Sequence, residues 1–474
     1  MDEKIESVKK LLEDKELDKE VKSKLNGNIR LVSNTILSNT YKKVISEFIA
    51  KYPSTKHITY DSVSYSGLLD ANAQNFGKRV LPTYKFDQAL TIVSFNADFL
   101  GTWISPEEFA KGYAQNRRID DVKNAKMSRH YHVESGMSLT GSNADHRILV
   151  KPSEQGAAIA NLYNEVALLT GGTNLSAPKV NDAALSMLKK AAKDLVANKG
   201  KSLVVSGSNN TNEQILVNAT NALLGNIGTT IDFNEHSNRR QGSDTDYQNL
   251  IKEMASGSVN TIIFLDSNPV FDGANNEQFK TALSKVGTKV AITSSMNETA
   301  ILCNFVANAH HNLESWGDVN PVAGHYSFIQ PAIAPLFDSR QAEATLLSWS
   351  DNSMNYHDYL MENWKSMQSG SGFASFQSFW DNCLHDGVIS QDVPNNSYNF
   401  SGDVSSAVNG ITKPSNAPLE LSIYESVNIG AGQYANNPWL MEMPDPVLRT
   451  VWGNYLSVPM NWDGVNNYTS FENL

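Results

Sequence analysis

The chain has 474 residues, 41% of them hydrophobic and 19% charged, with a formal net charge of -11. That length holds two or three domains of roughly 100–200 residues with room for buried cores. The acidic balance excludes a general affinity for phosphate backbones, and the Lys-rich stretches Lys4–Lys24 and Lys189–Lys201 are interleaved with Asp, Glu or Ala and read as solvated helix faces, so no nucleic-acid partner is expected.

Cysteine usage narrows the chemistry further. Cys303 and Cys383 are the only two. An iron–sulfur cluster takes four thiolates, or two with two histidines, and a Cys-rich zinc site needs more than two. Both cysteines read as buried thiols, with a single disulfide left open by the spacing. No apolar run reaches the roughly 18 residues of a membrane span. Met1-Asp2-Glu3-Lys4 lacks the basic-then-apolar layout of a secretory signal. Asn-x-Ser/Thr triplets at Asn174 and Asn297 have no supporting secretory context.

In chain order, residues 1–28 form a polar helical segment ending at Gly27. Ile29–Val32 is a short strand. Tyr41–Lys51 has helical spacing, with Val44, Ile45, Phe48 and Ile49 on one face and Pro53 as the stop. His57–Tyr60 and Thr91–Phe95 are strands, the latter followed by Asn96 and Asp98. Pro106 opens a helix. Arg129–Val133 and Ile148–Val150 are strands, and Gly156–Leu169 is an apolar helix. After the loop Gly171–Pro178 come a helix at Asp182–Asn198, a strand at Ser202–Val205, the turn Gly207–Asn210 and a helix from Thr211 to Leu224. Thr261–Leu265, closed by Asp266–Pro269, and Lys289–Ile292 are strands. Alternating short apolar strands and helices predict doubly wound α/β sheets. Ligands sit beyond the carboxyl ends of such strands, which predicts that Gly207–Asn210, Asp266–Pro269 and Ser294–Glu298 surround one crevice. Beyond residue 340, Gln341–Trp349 and Tyr356–Met367 read as helices, 386–418 as loop, and Leu419–Tyr424 as a β-like run of period two. An aromatic- and Pro-rich end follows, with Trp439, Pro444, Pro446, Trp452, Pro459 and Trp462.

Several runs carry a more specific signal. Ala97–Trp103 resembles the "GaDFLetW" element of molybdopterin-oxidoreductase large subunits. Asn221–Gly228 resembles their "NaLLGNiG" helix end. Asn268-Pro269 with Phe271-Asp272 and Phe279 resembles "NPvyd…F". His311–Asp318 followed by Gln330-Pro331 and Pro335–Phe337 resembles "H-x-LESWGD…QPlIaPLfd". The match covers most of residues 30–350 and continues weakly to 460. Within the superfamily, Tyr60–Gly67, Phe95–Trp103, Met137–Asp145, Ala435–Leu440 and Met443–Pro446 resemble the front domain of the iron–sulfur subunit of alternative complex III, a membrane quinol:cytochrome c oxidoreductase.

The resemblance implies two doubly wound Rossmann-like lobes and an irregular or β C-terminal segment. The expected division is 1–28, a first lobe at 29–178, a second at 179–340, and a helical then loop-rich region at 341–474. It further implies a peripheral place on the periplasmic face of a bacterial membrane. The partners would be a Cys-rich, cluster-bearing domain of the same subunit and haem-bearing and membrane subunits. In that branch the front domain carries no molybdenum, so no cofactor, catalytic residue or metal ligand is expected in this chain.

The residues agree with an empty centre. The window Tyr60–Ala89, where relatives place a metal-ligating Cys, selenocysteine or Ser, holds no Cys; Ser62, Ser64 and Ser66 read as turn or cap residues. The Pro-Gly-Thr-Asp turn of active relatives, near the cofactor's guanine, corresponds to Pro152-Ser153-Glu154-Gln155-Gly156, with Ser in place of the permissive Gly and an added carboxylate. Were a pterin dinucleotide bound, Glu134, Thr140, Asp145, Gly207, Asn209 and Asn268 are the positions expected to hold it. His130 and His132 share a strand face and are read as bonded to a sheet edge rather than as metal ligands. His310, His311 and Glu314 are read as a loop that packs Trp316 and bonds backbone groups. No Gly-x-Ser-x-Gly elbow surrounds Ser206 and Ser208, and no P-loop ending follows Gly207. The alternatives are an active molybdopterin-dependent oxidoreductase domain and a soluble module binding another nucleotide between the lobes.

Overall fold

The computed structural model describes Ser7, residues 27–369 and residues 371–458. The expected N-terminal helix, Pro459 and Trp462 lie outside those residues. Two parallel sheets organise the molecule. The first has the order β11-β10-β9-β1-β2, from β1 (Ile29–Ser33), β2 (Lys56–Thr59), β9 (Thr261–Leu265), β10 (Thr288–Thr293) and β11 (Phe305–Asn308). The second has the order β6-β5-β4-β7, from β4 (Thr91–Phe95), β5 (Arg129–Glu134), β6 (His146–Leu149) and β7 (Ser202–Ser206).

Both sheets are covered on both faces, which is why their strands are continuous apolar runs rather than alternating ones. In the first, Val32, Ile262 and Phe264 pack on helices Asp244–Ala255 and Asn276–Leu283. Leu31, Ile263 and Ile292 pack on Asn39–Lys51 and Ala342–Trp349. In the second, Val93, Tyr131 and Val204 face the helices Gln155–Thr170, Asp182–Ala197 and Thr211–Leu223. Ile92, Leu203 and Val205 face an aromatic layer of Phe86, Phe99, Trp103 and Phe109.

The sheets do not divide at residue 178. Ser202–Ser206, placed by sequence in the second lobe, pairs with β4, and Thr261–Leu265 pairs with β1. A parallel strand needs a long crossover, and nothing in local sequence says which sheet the chain re-enters. A third, antiparallel sheet was not apparent in the sequence: β3 (Leu81–Tyr84), β8 (Ile231–Ser237), β12 (Gly317–Val322), β13 (His325–Ile329) and β14 (Val388–Ser390), in the order β14-β13-β12-β8-β3. It joins strands from the stretches that build the two parallel sheets. Leu419–Tyr424 forms no strand. Its Leu419, Leu421 and Ile423 are exposed at 66%, 70% and 89%, because an alternating pattern becomes a strand only beside a partner edge.

Candidate functional site

The carboxyl ends of the two parallel sheets supply the loops where ligands bind in this architecture. Asn96 after β4 and Asp266 after β9 take left-handed backbone (φ 46° and 42°), turning the chain sharply out of each sheet. Asp266–Pro269 and Glu298 do come together: Asn268 donates to Glu298 (2.7 Å) and accepts from the Thr299 amide and hydroxyl (3.0 and 2.8 Å). Gly207–Asn210 belongs instead to the other sheet. There it closes on the helix Ser66–Phe76: Asn209 accepts from the Gly67 amide (2.8 Å) and donates to Asp244 (2.8 Å). A Cβ on Gly67 would collide with the Asn209 carbonyl, and one on Gly207 with that of Asn96, so these glycines permit close backbone approach.

The remaining positions are also paired within the chain. The Thr140 amide donates to Asp98 (2.9 Å), and its hydroxyl accepts from the Leu100 amide (2.9 Å). Asp145 holds Arg117 by two bonds (2.9 and 2.8 Å) and accepts from the His130 amide (2.8 Å). Ser62 donates to Asp272 (2.8 Å), Ser64 accepts from the Ser66 amide (3.0 Å), and Ser66 donates to Asp70 (3.1 Å). Among the described residues no group of three or more His, Cys, Asp or Glu side chains is placed to hold a metal. Cys303 and Cys383 are free thiols, each pushed up to about 11 by burial.

Sequence reading missed a buried chain of hydrogen bonds. Period two puts His130, His132 and Glu134 on one face of β5, and the register sets Ser94 of β4 beside His132. β5 lies inside its sheet, so the histidines do not serve a sheet edge. Instead Glu134 meets His132 Nε2 (3.0 Å), His132 Nδ1 meets Ser94 Oγ (2.5 Å), Ser94 Oγ meets His130 Nε2 (2.8 Å), and His130 Nδ1 meets the Tyr113 hydroxyl (3.2 Å). A carboxylate only accepts, so His132 donates to Glu134 through Nε2, and the Tyr113 hydroxyl donates to the Asn143 carbonyl (3.1 Å). Burial, with His132 and Arg117 nearby, holds His130 well below the usual histidine range. Burial opposes charge on Glu134, but bonds from His132, Arg147 and Ser138 outweigh it and keep the carboxyl below its usual value. Glu134 is 1% exposed, with Oε2 accepting from His132 and Ser138 and Oε1 from Arg147. Ser94, His132 and Glu134 list like a hydrolytic triad, but Ser94 has no exposed surface and the ring is reversed, with Nδ1 rather than Nε2 toward the serine.

One further element reaches this region. The segment after Ile411 runs along the second sheet's helices: the Thr412 amide donates to Glu213 (3.0 Å) and the Ser415 amide to the Ser153 hydroxyl (2.9 Å). Glu420 accepts from both the amide and the hydroxyl of Ser153 (2.8 Å each). Glu154 turns back to the Lys151 amide (3.0 Å). Farther on, Glu425 comes near Tyr65 and Arg240, with burial raising its carboxyl and Arg240 pulling the other way, and Gly432 lies against Phe271 beyond β9. The segment thus crosses from one sheet's loops to the other's.

No protein-family model matches the chain. It is 35% identical over 102 residues to the menaquinone reductase, molybdopterin-binding-like subunit of Nitratidesulfovibrio vulgaris, a match covering 20% of this chain and 15% of that protein. Among solved structures, acetylene hydratase from Pelobacter acetylenicus superposes with a TM-score of 0.58 at 12% identity over 83% of this chain and 63% of that one. The formyltransferase/hydrolase complex from Methylorubrum extorquens reaches 0.44 at 14% identity, over 74% of this chain and 95% of that one. The chain therefore spans less than two thirds of the length of the first two proteins. No helix among the described residues is long and apolar enough to cross a membrane. Together the local sequence match and the shared two-lobed α/β architecture support a molybdopterin-oxidoreductase-like fold for this chain.

Proposed function

We propose that this chain is a non-catalytic, molybdopterin-oxidoreductase-like structural domain within a subunit of a quinone-linked respiratory electron-transfer complex. The motif resemblance favours alternative complex III on the periplasmic face of a bacterial membrane. The sequence relative's name, a molybdopterin-binding-like subunit of menaquinone reductase, supports membership of such a complex. In this reading the partners are a cluster-bearing domain of the same subunit and haem-bearing and membrane subunits.

The observation that carries the proposal is Glu420 seated on Ser153. The turn Pro152–Gly156 is where the resemblance places the nucleotide end of a pterin cofactor, and the chain's own carboxylate takes the Ser153 amide and hydroxyl there. A second anion at that helix start would meet Glu420 and Glu154. The side-chain groups expected to hold the cofactor are likewise already paired in the fold. The residues present do not fit a pterin dinucleotide.

The test is elemental analysis of protein purified from a host supplied with molybdenum, with oxidised extracts assayed for pterin fluorescence. Molybdenum well below one equivalent is expected, with no pterin signal. Stoichiometric molybdenum that disappears in Ser64→Ala would refute the proposal.

A further inference from the structure

Between Ser415 and Ser426 the chain runs over the surface, and no main-chain amide or carbonyl of Leu419–Tyr424 is hydrogen-bonded to any described residue. Its burial nevertheless alternates: Glu420 and Ser422 are half-buried, whereas Leu419, Leu421 and Ile423 are exposed. That is the mark of extended chain, whose successive side chains point to opposite sides. One side is fixed, because Glu420 is fastened to the Ser153 amide and hydroxyl. The three aliphatic side chains consequently face outward, and Tyr424, against Tyr455 at 6.5 Å between ring centroids, holds the far end.

Such a stretch presents what an edge strand presents: unpaired donors and acceptors beside a row of apolar side chains, a template for another strand. The residue order says which strand it suits. Laid antiparallel on a second copy of itself with Leu421 on the twofold axis, Leu419 falls opposite Ile423, Leu421 opposite Leu421, and Glu420 opposite Ser422. All three aliphatic residues then meet aliphatic residues, and the carboxylates stay apart. A shift of one residue sets Leu421 against Glu420 or Ser422. Centring on Glu420 sets two carboxylates face to face, and centring on Ser422 sets Leu419 against Glu425. Pro418, which has no N–H to give, falls at the start of the strand, where Pro is tolerated.

We propose that Leu419–Tyr424 is a self-association strand, pairing antiparallel with the same stretch of a second copy of this chain in the register centred on Leu421. The contact is isologous, so it closes at a dimer. It is also small: two such short strands cover less than the roughly 1,200 Å² of a stable interface, so a dissociation constant on the order of 10–100 µM is expected. Each copy carries a net charge of -11, and their repulsion makes the dimer tighter as salt is raised. The pairing uses the outer side of the strand and is independent of whether a cofactor occupies the crevice.

The experiment is sedimentation equilibrium of the full chain from about 5 to about 500 µM in about 0.15 M salt. The parent is expected as a monomer–dimer equilibrium. Leu421 is 70% exposed, so Leu421→Lys and Leu421→Glu are expected to fold and to melt with the parent. Each puts like charges face to face on the axis and should weaken the dimer about tenfold or more. An equimolar mixture of the two variants sets opposite charges face to face and should restore parent-like association, which requires a residue that meets its own counterpart. The proposal is overturned by a parent that stays monomeric over the whole range, or by one that forms assemblies larger than a dimer. Either variant dimerising as tightly as the parent, or a mixture that stays monomeric, also overturns it.

Discussion

Replacing Ser94 by Ala should unpick the buried chain between Tyr113 and Glu134. Ser94 Oγ bridges His130 Nε2 and His132 Nδ1 in a layer with no solvent access. Its removal strands one buried nitrogen on each ring, each worth about 1–3 kcal/mol when left unpaired. Alanine fills none of the space, so about 2–5 kcal/mol is expected, at the upper end if no water enters. If the second sheet and its helices, roughly 200 residues, melt as one unit, each kcal/mol moves its midpoint by about 2–4 °C, giving a fall of about 4–20 °C. The assay is thermal unfolding followed by circular dichroism, paired with nitrogen-15 shifts of the imidazoles. Ser94→Ala should shift the nitrogens of both rings. A midpoint drop under about 1 °C with unchanged ring shifts would show that the bridge through Ser94 does not exist.

Other expectations follow from the same structure. His57 is held at about 4 by burial and by Lys42, and His130 is also depressed. The unfolded chain takes up these protons below about pH 6.5 while the folded chain does not, so stability is complete above that pH and falls on acidification toward 4; urea midpoints that stay flat over this window would contradict it. Gly67→Ala drives a methyl into the Asn209 carbonyl where the two sheets' loops meet, and should cost about 1–3 kcal/mol or more, whereas Gly77→Ala on the same helix meets no atoms and is strained only by its φ of 71°; comparison of the two by thermal unfolding checks whether the close approach matters. Cys383 and Cys303, both with raised thiol values, should react slowly with a thiol reagent at pH 8 and promptly in denaturant; fast native-state labelling of Cys383 would place it outside its core.

How much of this was legible beforehand depends on the range of the interaction. The strand cores at Ile29, Thr91, Arg129, Ser202, Thr261 and Lys289 are short apolar runs whose character does not depend on their partners, and they appear where the pattern placed them. The antiparallel strands Leu81–Tyr84 and Ile231–Ser237 carry Pro82, Asp232 and Glu235 and look like loop until each lies beside the other. Leu419–Tyr424 is the opposite case, a strand pattern with no edge to join. The recognised motifs proved to be fold joints. Asp98 fixes Thr140, Asn221 clamps Val204 through its amide and carbonyl, and Asp318 takes Thr40 and the Trp364 indole. Such residues identify an architecture and are silent about its chemistry.

Composition and order of residues settled what no folding could change: too few thiols for a cluster, an acidic surface, and alternating apolar segments that must pair as parallel sheets. Which strand enters which sheet, and the meeting of Glu420 with Ser153 across 267 positions, were decided only by the fold. The reason is physical. Helix and strand signals come from neighbours a few residues apart, whereas a polar group's partner, and hence whether it is free to bind anything else, is set by contacts between segments distant along the chain.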